Sequence, residues 1–380
     1  MDTPFVYNKF VTGHEFISRQ NELSLFTSMV RQKQHVLIYE PPKSGKKSLV
    51  QQGFVNLHKN GHEFIVCNIN LFNVRTKKQL LQKYINALLN TFTNSPAEME
   101  NLQKELIPDF DKFFGKTIEY GKTLDFSDPE IDTRTIPKEI TEKIISLPET
   151  LAHKFNTNPV IYIEEFQEIL LQDNPYEILE QMESTLKEQV KTTYIITGSM
   201  VNSMKEIFEE KKYFYNFAER IKLGPLDGRS LSEFYNKSFL KTGRVISREL
   251  STAMYNFTEG HPWYAQQLGD ISYGLTRGYL TEQVLKQSFL SLLELHSYRY
   301  QLITSRLSRF QINFLKAIMD NVEQLCAADT MTYYGFNSSA NVKRLKDAVK
   351  RKEILTEENG QWVFLDPLFK TWLKTVYFEL

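Results

Sequence analysis

The chain has 380 residues, of which 41% are hydrophobic and 24% are charged, as in an ordinary globular protein of two or three domains. Lysine plus arginine and aspartate plus glutamate balance at 46 each, so net charge excludes a general attraction of the whole chain to nucleic acid or anionic lipid. No apolar run approaches the ~20 residues of a membrane span, and the first residues lack the layout of a signal peptide. We therefore expect a cytoplasmic protein with no membrane partner.

The two cysteines, Cys67 and Cys326, lie far apart and have neither CxxC spacing nor a neighbouring histidine cluster. They predict neither a disulfide framework nor a zinc site. We expect both thiols to be buried.

A helix is predicted over residues 16–30, where apolar residues recur at helical spacing. Ser18, with Glu22 nearby, resembles the capping box that begins many helices. This helix precedes the first predicted strand.

Residues 35–49, with the sequence HVLIYEPPKSGKKSL, predict a strand, a loop and a helix in that order. The Gly45–Lys46 pair is typical of a P-loop, in which backbone N–H groups hold phosphates at a helix N-terminus, the lysine reaches the β- and γ-phosphates, and a following hydroxyl holds Mg²⁺. The candidate nucleotide-binding residues of this loop are Lys43, Ser44, Gly45, Lys46, Lys47 and Ser48.

Two residues depart from the P-loop pattern. Glu40 replaces the first glycine, and Lys47 replaces the serine or threonine. Since a lysine cannot ligate a cation, Mg²⁺ would need Ser48 or water in its place. The loop taken alone therefore leaves two interpretations open, a nucleotide site with weak hydrolysis or a basic surface turn.

Further strands and helices alternate after the loop. A strand is predicted over residues 63–71 and a helix over residues 77–91, which favours a parallel sheet with helices on both faces. The pattern weakens over residues 94–137, which we interpret as an insertion or mobile loop. A single helix is predicted over residues 138–155.

The apolar run at residues 159–163 ends in two carboxylates, Glu164 and Glu165, as expected for a Walker B strand. In P-loop enzymes the first acid at this position holds Mg²⁺ and the second polarises the attacking water. An ordinary buried strand with a polar end is the alternative. The next strand, residues 193–199, supplies Thr197 and Ser199, and a doubly wound fold would place it beside the other two.

The remaining residues predict helices and a small hairpin. His261 lies in a Gly-His-Pro turn that begins a helix. Between residues 322 and 338 the periodicity is poor, and Asn359–Gly360 between two short apolar runs predicts a β-hairpin. Helices followed by a hairpin indicate a winged helix-turn-helix.

The ordered motifs resemble the archaeal-type ATPases, prokaryotic P-loop proteins related to the AAA+ and STAND classes. The resemblance covers nearly the whole chain and is carried by residues 16–19, 39–49, 160–167, 197–199, 223–226, 260–262 and 366–373. It implies that Lys46 binds phosphate, that Glu164 and Glu165 form the Walker B pair, and that Thr197 or Ser199 is the sensor. It also implies that His261 and Arg19 belong to the nucleotide site, with ATP or ADP as the cofactor. Arg220 is out of register for an arginine finger.

The predicted winged helix carries basic residues at positions that face outward from its apolar side: Lys343, Arg344, Lys346, Lys350 and Arg351. This layout suits contacts with DNA phosphates. The alternative is a solvated face on a module that packs against the ATPase domain or an unknown protein partner, which the acidic wing tip at Glu357 and Glu358 favours.

We therefore expect a P-loop ATPase domain at residues 1–226, a helical lid at 227–300 and a winged helix at 301–380. The leading hypothesis is a nucleotide-biased conformational switch with slow or absent hydrolysis, in which nucleotide between sheet domain and lid sets the position of the winged helix. The alternative is a non-catalytic pseudo-ATPase that acts as a scaffold or DNA-associated regulator. A fully active ATPase, with Ser48 or Glu164 holding Mg²⁺, ranks below both.

Overall fold

The computed structural model describes residues 3–115, 120–122 and 136–380. These residues form two compact units between which the chain passes more than once. The sheet unit consists of Asn21–Glu40 and Gly53–Lys222, and the helical unit consists of the residues up to Gln20, Pro41–Gln52 and Leu223–Leu380.

The sheet unit is built on five parallel strands in the order β2-β3-β4-β1-β5. The strands are β1 (His35–Tyr39), β2 (Ile65–Asn70), β3 (Pro159–Glu164), β4 (Thr193–Gly198) and β5 (Ala218–Arg220). The central strands β3 and β4 are buried almost throughout, as expected for strands covered on both faces. The predicted α/β fold with a parallel sheet is therefore confirmed.

The helices that connect these strands begin with α1 and continue to α9. They are α1 (Gln20–Arg31), α2 (Lys46–Lys59), α3 (Lys77–Phe92), α4 (Pro96–Leu106), α5 (Phe110–Phe114), α6 (Lys138–Ile145), α7 (Leu147–Lys154), α8 (Pro175–Lys187) and α9 (Val201–Lys205). Helix α3 begins with a capping box between Thr76 and Gln79. Its predicted apolar face, which includes Leu81 and Leu88, is buried.

Two predictions in this unit need correction. The single helix predicted over residues 138–155 is two helices, α6 and α7, which meet at Ser146. Pro148 explains the break, since proline is accepted in the first turn of a helix but lacks the N–H that a continuous helix would need there. Ser18 does not cap α1, because it has φ +61° and lies two residues before the helix.

The interval 94–137, interpreted from sequence as an insertion or mobile loop, contains the helices α4 and α5. Ser95 caps α4 through the N–H of Glu98, and Phe110 and Phe114 of α5 are buried. Helix α5 has only five residues, which explains why periodicity did not predict it. The rest of that interval, residues 116–119 and 123–135, lies outside the described residues.

The helical unit continues from α10 to α17. Its helices are α10 (Gly228–Leu240), α11 (Arg248–Thr258), α12 (Pro262–Leu275), α13 (Glu282–Ser305), α14 (Arg309–Met319), α15 (Ala328–Tyr334), α16 (Ser339–Arg351) and α17 (Pro367–Trp372). One hydrophobic core extends from Phe5 to residues near the C-terminus. Gly269 is needed where Phe5 packs on α12, because a Cβ at that position would lie 2.4 Å from the phenyl ring.

The last part of this unit contains the antiparallel hairpin of β6 (Leu355–Glu358) and β7 (Gln361–Phe364). Its turn residues Asn359 and Gly360 both have positive φ, as a two-residue type I′ turn requires, so the predicted hairpin is confirmed. Helix α15 was not predicted, because its seven residues bury only Tyr334 and leave little periodic signal.

Within the described part of the chain, no helix is long and apolar enough to cross a bilayer. Cys67 is buried, as expected, whereas Cys326 is exposed. The prediction of two buried thiols was therefore wrong for Cys326.

Candidate nucleotide-binding site

In the sheet unit, the carboxyl ends of β1, β3 and β4 lie at the same edge of the sheet. Strand β4 pairs with β1 on one side and with β3 on the other. Tyr39 is the register partner of Gly198, and the N–H of Glu40 donates to the Gly198 carbonyl at 3.3 Å. Strand β4 therefore lies beside the other two, as predicted. The chain enters the loop at this edge, where ligands bind in open α/β sheets.

The two predicted Walker B carboxylates have different surroundings. Glu164 is the last residue of β3, and its Oε1 accepts a hydrogen bond from Asn68 Nδ2 at 3.0 Å. Glu165 has a left-handed φ of +56°, so the extended backbone of β3 ends before it. Its Oε2 accepts from Gln167 Nε2 at 2.7 Å and from the hydroxyl of Ser199. These bonds hold the carboxylate of Glu165 in one orientation.

Gln167 was not predicted as a site residue, although it follows Glu165 by only two positions. Besides its bond to Glu165, its Oε1 accepts from the backbone N–H of Ser199 at 3.2 Å. Of the two sensor candidates, Thr197 is buried and its hydroxyl donates to the Ile163 carbonyl at 3.3 Å. Ser199 is therefore the sensor candidate that contacts a Walker B carboxylate.

Glu40, which takes the place of the first P-loop glycine, is a buried carboxylate with an arginine beside it. Arg220 Nη2 lies 3.7 Å from Glu40 Oε1, and Arg220 Nη1 lies 3.0 Å from Glu209 Oε1. The guanidinium also lies 3.7 Å from the ring centroid of Tyr39, whose hydroxyl donates to Glu209. Burial and the hydrogen bond to Glu209 raise the pKa of Tyr39 far above its ordinary value. Arg220 therefore lies close to two carboxylates, those of Glu40 and Glu209, and to the aromatic ring of Tyr39.

In the helical unit, the loop has the backbone of a strand-to-helix turn. Lys43 and Gly45 have φ of +64° and +94°, and α2 begins at Lys46. The ammonium of Lys46 donates to the Pro41 carbonyl at 2.9 Å, so its side chain folds back over the loop. The first-turn N–H groups and the positive end of the helix dipole therefore lie where the loop turns, an arrangement that attracts anions.

Arg19, which the resemblance assigned to the nucleotide site, contacts the backbone of the loop. Its side chain is buried, and Nη2 donates to the carbonyls of Ser44 at 3.0 Å and Gly224 at 2.9 Å. Lys43 lies over the Trp263 ring, 5.7 Å from the centroid. Both contacts tie the loop to other segments of the helical unit.

Three buried polar atoms of the helical unit have no hydrogen-bond partner among the described residues, and two of them, Ser44 Oγ in the loop and His261 Nδ1, lie near the N-terminus of α2; the third is Ser272 Oγ. The imidazole of His261 hydrogen-bonds to the backbone of Pro42, so it belongs to the same site. Burial, aided by Lys46 and Arg19, lowers the pKa of His261 to about 3 and keeps it neutral. A buried donor or acceptor without a partner is costly unless a further polar group satisfies it.

These residues fit the phosphates of a nucleotide better than they fit Mg²⁺. The helix N-terminus, Lys46, the Ser44 hydroxyl and His261 Nδ1 are all groups that bind phosphate or a nucleotide's polar edge. For the metal, Lys47 stands at the hydroxyl position, and Ser48 Oγ instead accepts from the N–H of Val11 at 3.1 Å. No cluster of three histidine, cysteine, aspartate or glutamate residues suited to a metal occurs in the ranges that the structure describes.

A polar network leads from His261 to α17 near the C-terminus. The rings of His261 and Tyr264 lie 4.6 Å apart, and the hydroxyl of Tyr264 donates to the carboxylate of Asp366 at 2.9 Å. Asp366 also accepts from Arg299 Nη2 at 2.9 Å and caps α17 through the N–H groups of Leu368 and Phe369. The network therefore connects α12, α13 and α17.

The basic residues predicted for nucleic acid lie on α16. Val342, Leu345 and Val349 are buried, as predicted for its apolar side. Lys343, Arg344 and Arg351 are exposed, and Lys346 and Lys350 are partly exposed. Lys346 lies 5.7 Å from the ring centroid of Trp362 in β7.

Comparisons with known proteins agree with a parallel-sheet domain followed by a winged helix. A family described as a probable winged helix domain matches residues 298–375. The structure of a Walker-type ATPase of Pyrococcus abyssi superposes with a TM-score of 0.63 at 15% identity, over 97% of this chain and 98% of that chain. The chain has the fold of a Walker-type ATPase. The predicted P-loop fold with a C-terminal winged helix is thus confirmed.

A second solved structure with a similar fold is the ORC2 protein of Aeropyrum pernix in its ADP form. It superposes with a TM-score of 0.53 at 11% identity, over 96% of this chain and 93% of that chain. No curated protein matches the sequence. The Walker-type fold is therefore shown by structure at low sequence identity, and the roles of individual residues depend on the site itself.

Proposed function

We propose that the chain binds an adenine nucleotide, ATP or ADP, at the loop of residues 41–48 and responds to it as a conformational switch. The observation that carries this proposal is the pair of buried polar atoms without partners, Ser44 Oγ and His261 Nδ1, beside the N-terminus of α2. The Walker-type ATPase of Pyrococcus abyssi and the ADP form of the Aeropyrum pernix protein, which share the fold, support the choice of nucleotide.

The switch depends on the network that begins at His261. A nucleotide that offers a hydrogen-bond donor to Nδ1, or a phosphate that draws a proton onto it, changes the ring's position next to Tyr264. Tyr264 and Arg299 share the Asp366 carboxylate, which caps α17. Nucleotide binding therefore biases the packing of the winged helix through contacts already present in the helical unit.

Hydrolysis is proposed to be slow or absent. Glu165 Oε2 already accepts hydrogen bonds from Gln167 and Ser199, so this oxygen is occupied by the protein instead of being directed at an attacking water. Lys47 supplies a positive charge at the position where a P-loop enzyme holds Mg²⁺ through a hydroxyl. Binding is therefore expected without the metal.

Calorimetric titration with ATP and with ADP, each with and without Mg²⁺, tests this proposal. Wild type should bind with similar affinity in both conditions, and Lys46→Ala should bind at least tenfold more weakly. Lys59→Ala, at the exposed end of the same helix, is the matched control and should bind as wild type does. No heat of binding to wild type would sink the proposal in favour of a non-catalytic scaffold, and equal binding by Lys46→Ala would remove Lys46 from the site.

A second candidate function is DNA binding by α16. It is favoured by the exposed cations Lys343 and Arg344 on the outer face of a helix within the winged-helix match. The affinity for duplex DNA, measured by mobility shift, should fall steeply as salt is raised. The double variant Lys343→Glu with Arg344→Glu should bind DNA more weakly than wild type at each salt concentration. Lys286→Glu, an exposed charge reversal on α13, is the control. An unchanged shift in the α16 variant would exclude this role.

A further inference from the structure

Helix α13 leaves an apolar stripe exposed along its outer face. Leu295, Tyr298 and Leu302 are 61%, 73% and 41% exposed. Their spacing of three and four residues places them on one side of the helix. We call these three residues the α13 stripe, and large apolar side chains grouped in this way mark a surface that binds a partner.

The stripe ends in a cavity of about 380 Å³. Leu302 belongs to both, and Ile303, Leu307 and Ile354 supply the other apolar walls. The cavity is large enough for one or two side chains of a partner and lies within the region that matches the winged-helix family.

Cations surround the cavity end of the stripe. Arg306 and Lys352 line the cavity, and Arg351 is exposed next to Lys352. Among the described residues, none of these three has a carboxylate within 4.0 Å, and Lys352 Nζ donates only to the backbone carbonyl of Arg306 at 3.2 Å. A fourth cation that lines the cavity, Arg299, is already paired with Asp366.

We infer that the α13 stripe and its cavity bind an acidic amphipathic helix of a partner protein. From Leu295 to Leu302 the stripe extends about 11 Å along the helix axis, and the cavity continues the surface beyond Leu302. This length matches apolar anchors at positions i, i+3 or i+4 and i+7 of a second helix packed alongside. The unpaired cations select carboxylates on that helix by charge complementarity.

Two other occupants fit the surface less well. A small amphiphilic anion would fill the cavity but would leave Leu295 and Tyr298 exposed. A second copy of the chain would bring only one carboxylate on the corresponding surface, because residues 290–306 contain Glu294 and no other acidic residue. This inference does not depend on nucleotide binding.

A display selection tests the inference. A library of 20-residue helix-biased peptides, randomised at every position, is selected on the full chain, and enriched peptides are measured by fluorescence anisotropy. The expected sequences have apolar residues at i, i+3 or i+4 and i+7 with aspartate or glutamate beside them. Leu302→Asp and the double variant Arg306→Glu with Lys352→Glu should each weaken binding at least tenfold.

Matched controls separate the surface from a general loss of structure. Leu290→Asp changes another exposed leucine on α13, which lies outside the stripe, and Lys286→Glu reverses a charge on the same helix about 30 Å from Arg306. Both should bind the peptides as wild type does, and all variants should keep the wild-type circular dichroism spectrum.

Several outcomes would overturn the inference. They are no enrichment, enrichment of basic or patternless peptides, and binding that Leu302→Asp leaves unchanged. Sedimentation that shows a dimer dissociated by Leu302→Asp would assign the surface to a second copy. Saturable binding of dodecanoate that Leu302→Asp abolishes, with no peptide enriched, would assign it to a small amphiphile.

Discussion

Arg220 Nη2 lies 3.7 Å from Glu40 Oε1, at the point where β1 leads into the loop. Glu40 stands where a P-loop has its first glycine, and a carboxylate there would repel phosphate. The guanidinium of Arg220 offsets that charge from the neighbouring strand β5. The departure at Glu40 is therefore accompanied by a compensating residue in the same unit.

A double-mutant cycle on this pair gives the first prediction. Arg220→Met should lower the free energy of unfolding by about 2 kcal/mol, below the usual cost of breaking a fully buried pair because the arginine is partly exposed. Glu40→Gln with Arg220→Met should cost less than the sum of the single changes, with a coupling of about 1 kcal/mol. Urea unfolding followed by far-UV circular dichroism measures both.

Arg229→Met is the control for this cycle, because Arg229 forms a surface ion pair with Glu233 on one helix. It should leave the unfolding curve of wild type unchanged. Additive effects of the Glu40 and Arg220 changes would show that the two side chains do not stabilise each other.

Lys47 provides a prediction about the metal. Lys47→Ser restores the hydroxyl of a P-loop, which is the group that holds Mg²⁺. We expect ATP to bind this variant at least fivefold more tightly with Mg²⁺ than without it, whereas wild type shows no such difference. Calorimetry checks this, with Lys47→Ala as the control that removes the charge without adding a ligand. The same Mg²⁺ effect in both variants would contradict a role for the hydroxyl.

Sequence periodicity predicted the helices and strands whose buried residues recur at regular spacing. The strand β3 was predicted because its side chains are apolar on both faces, and the turn at Asn359–Gly360 because few residue pairs accept positive φ at both positions. The break at Ser146 and the short helix α15 depend on a single proline and on a few tertiary contacts, which periodicity does not record.

The sequence motifs of the candidate site were predicted, but the side chains that contact those motifs were not. Lys46 and Glu165 were identified from the sequence because Lys46 begins α2 and Glu165 directly follows β3, in patterns typical of P-loop proteins. The partners of these motifs come from distant positions, such as Ser199 for Glu165 and Arg220 for Glu40. The domain limits at residues 226 and 300 and the metal roles of Ser48 and Glu164 stay predictions.

Asp366 gives a prediction about the network in the helical unit. Asp366→Ala removes the cap of α17 and the charged partner of Arg299, and it should lower the free energy of unfolding by about 3 kcal/mol. Asp366→Asn keeps a capping oxygen and should cost about 1 kcal/mol. The three tryptophans, Trp263, Trp362 and Trp372, all lie in this unit, so urea unfolding followed by tryptophan fluorescence reports on it alone.

The control for Asp366 is Asp329→Ala, in the exposed first turn of α15. It should shift the fluorescence midpoint little. A loss for Asp366→Asn as large as that for Asp366→Ala would show that the charge, and not the cap, is the main contribution.

His35 makes the stability of the sheet unit dependent on pH. Its Nδ1 accepts from the N–H of Tyr194 at 3.0 Å, and its ring is stacked on Phe217 at 4.1 Å between centroids. Burial lowers the pKa of His35 to about 4, below the ordinary value for histidine. As pH falls from 7 to 4, the unfolded chain takes up a proton that the folded chain does not, so stability is lost in this window.

His35→Gln should remove this dependence, since its side-chain oxygen can accept from Tyr194 but does not titrate. The loss of unfolding free energy between pH 7 and pH 4 should be about 3 kcal/mol smaller in the variant than in wild type. Urea unfolding by circular dichroism at several pH values measures the slope, and His58→Gln, at an exposed histidine on α2, controls for the loss of a histidine as such. Equal slopes for wild type and His35→Gln would mean that His35 takes up its proton in the folded chain as readily as in the unfolded one.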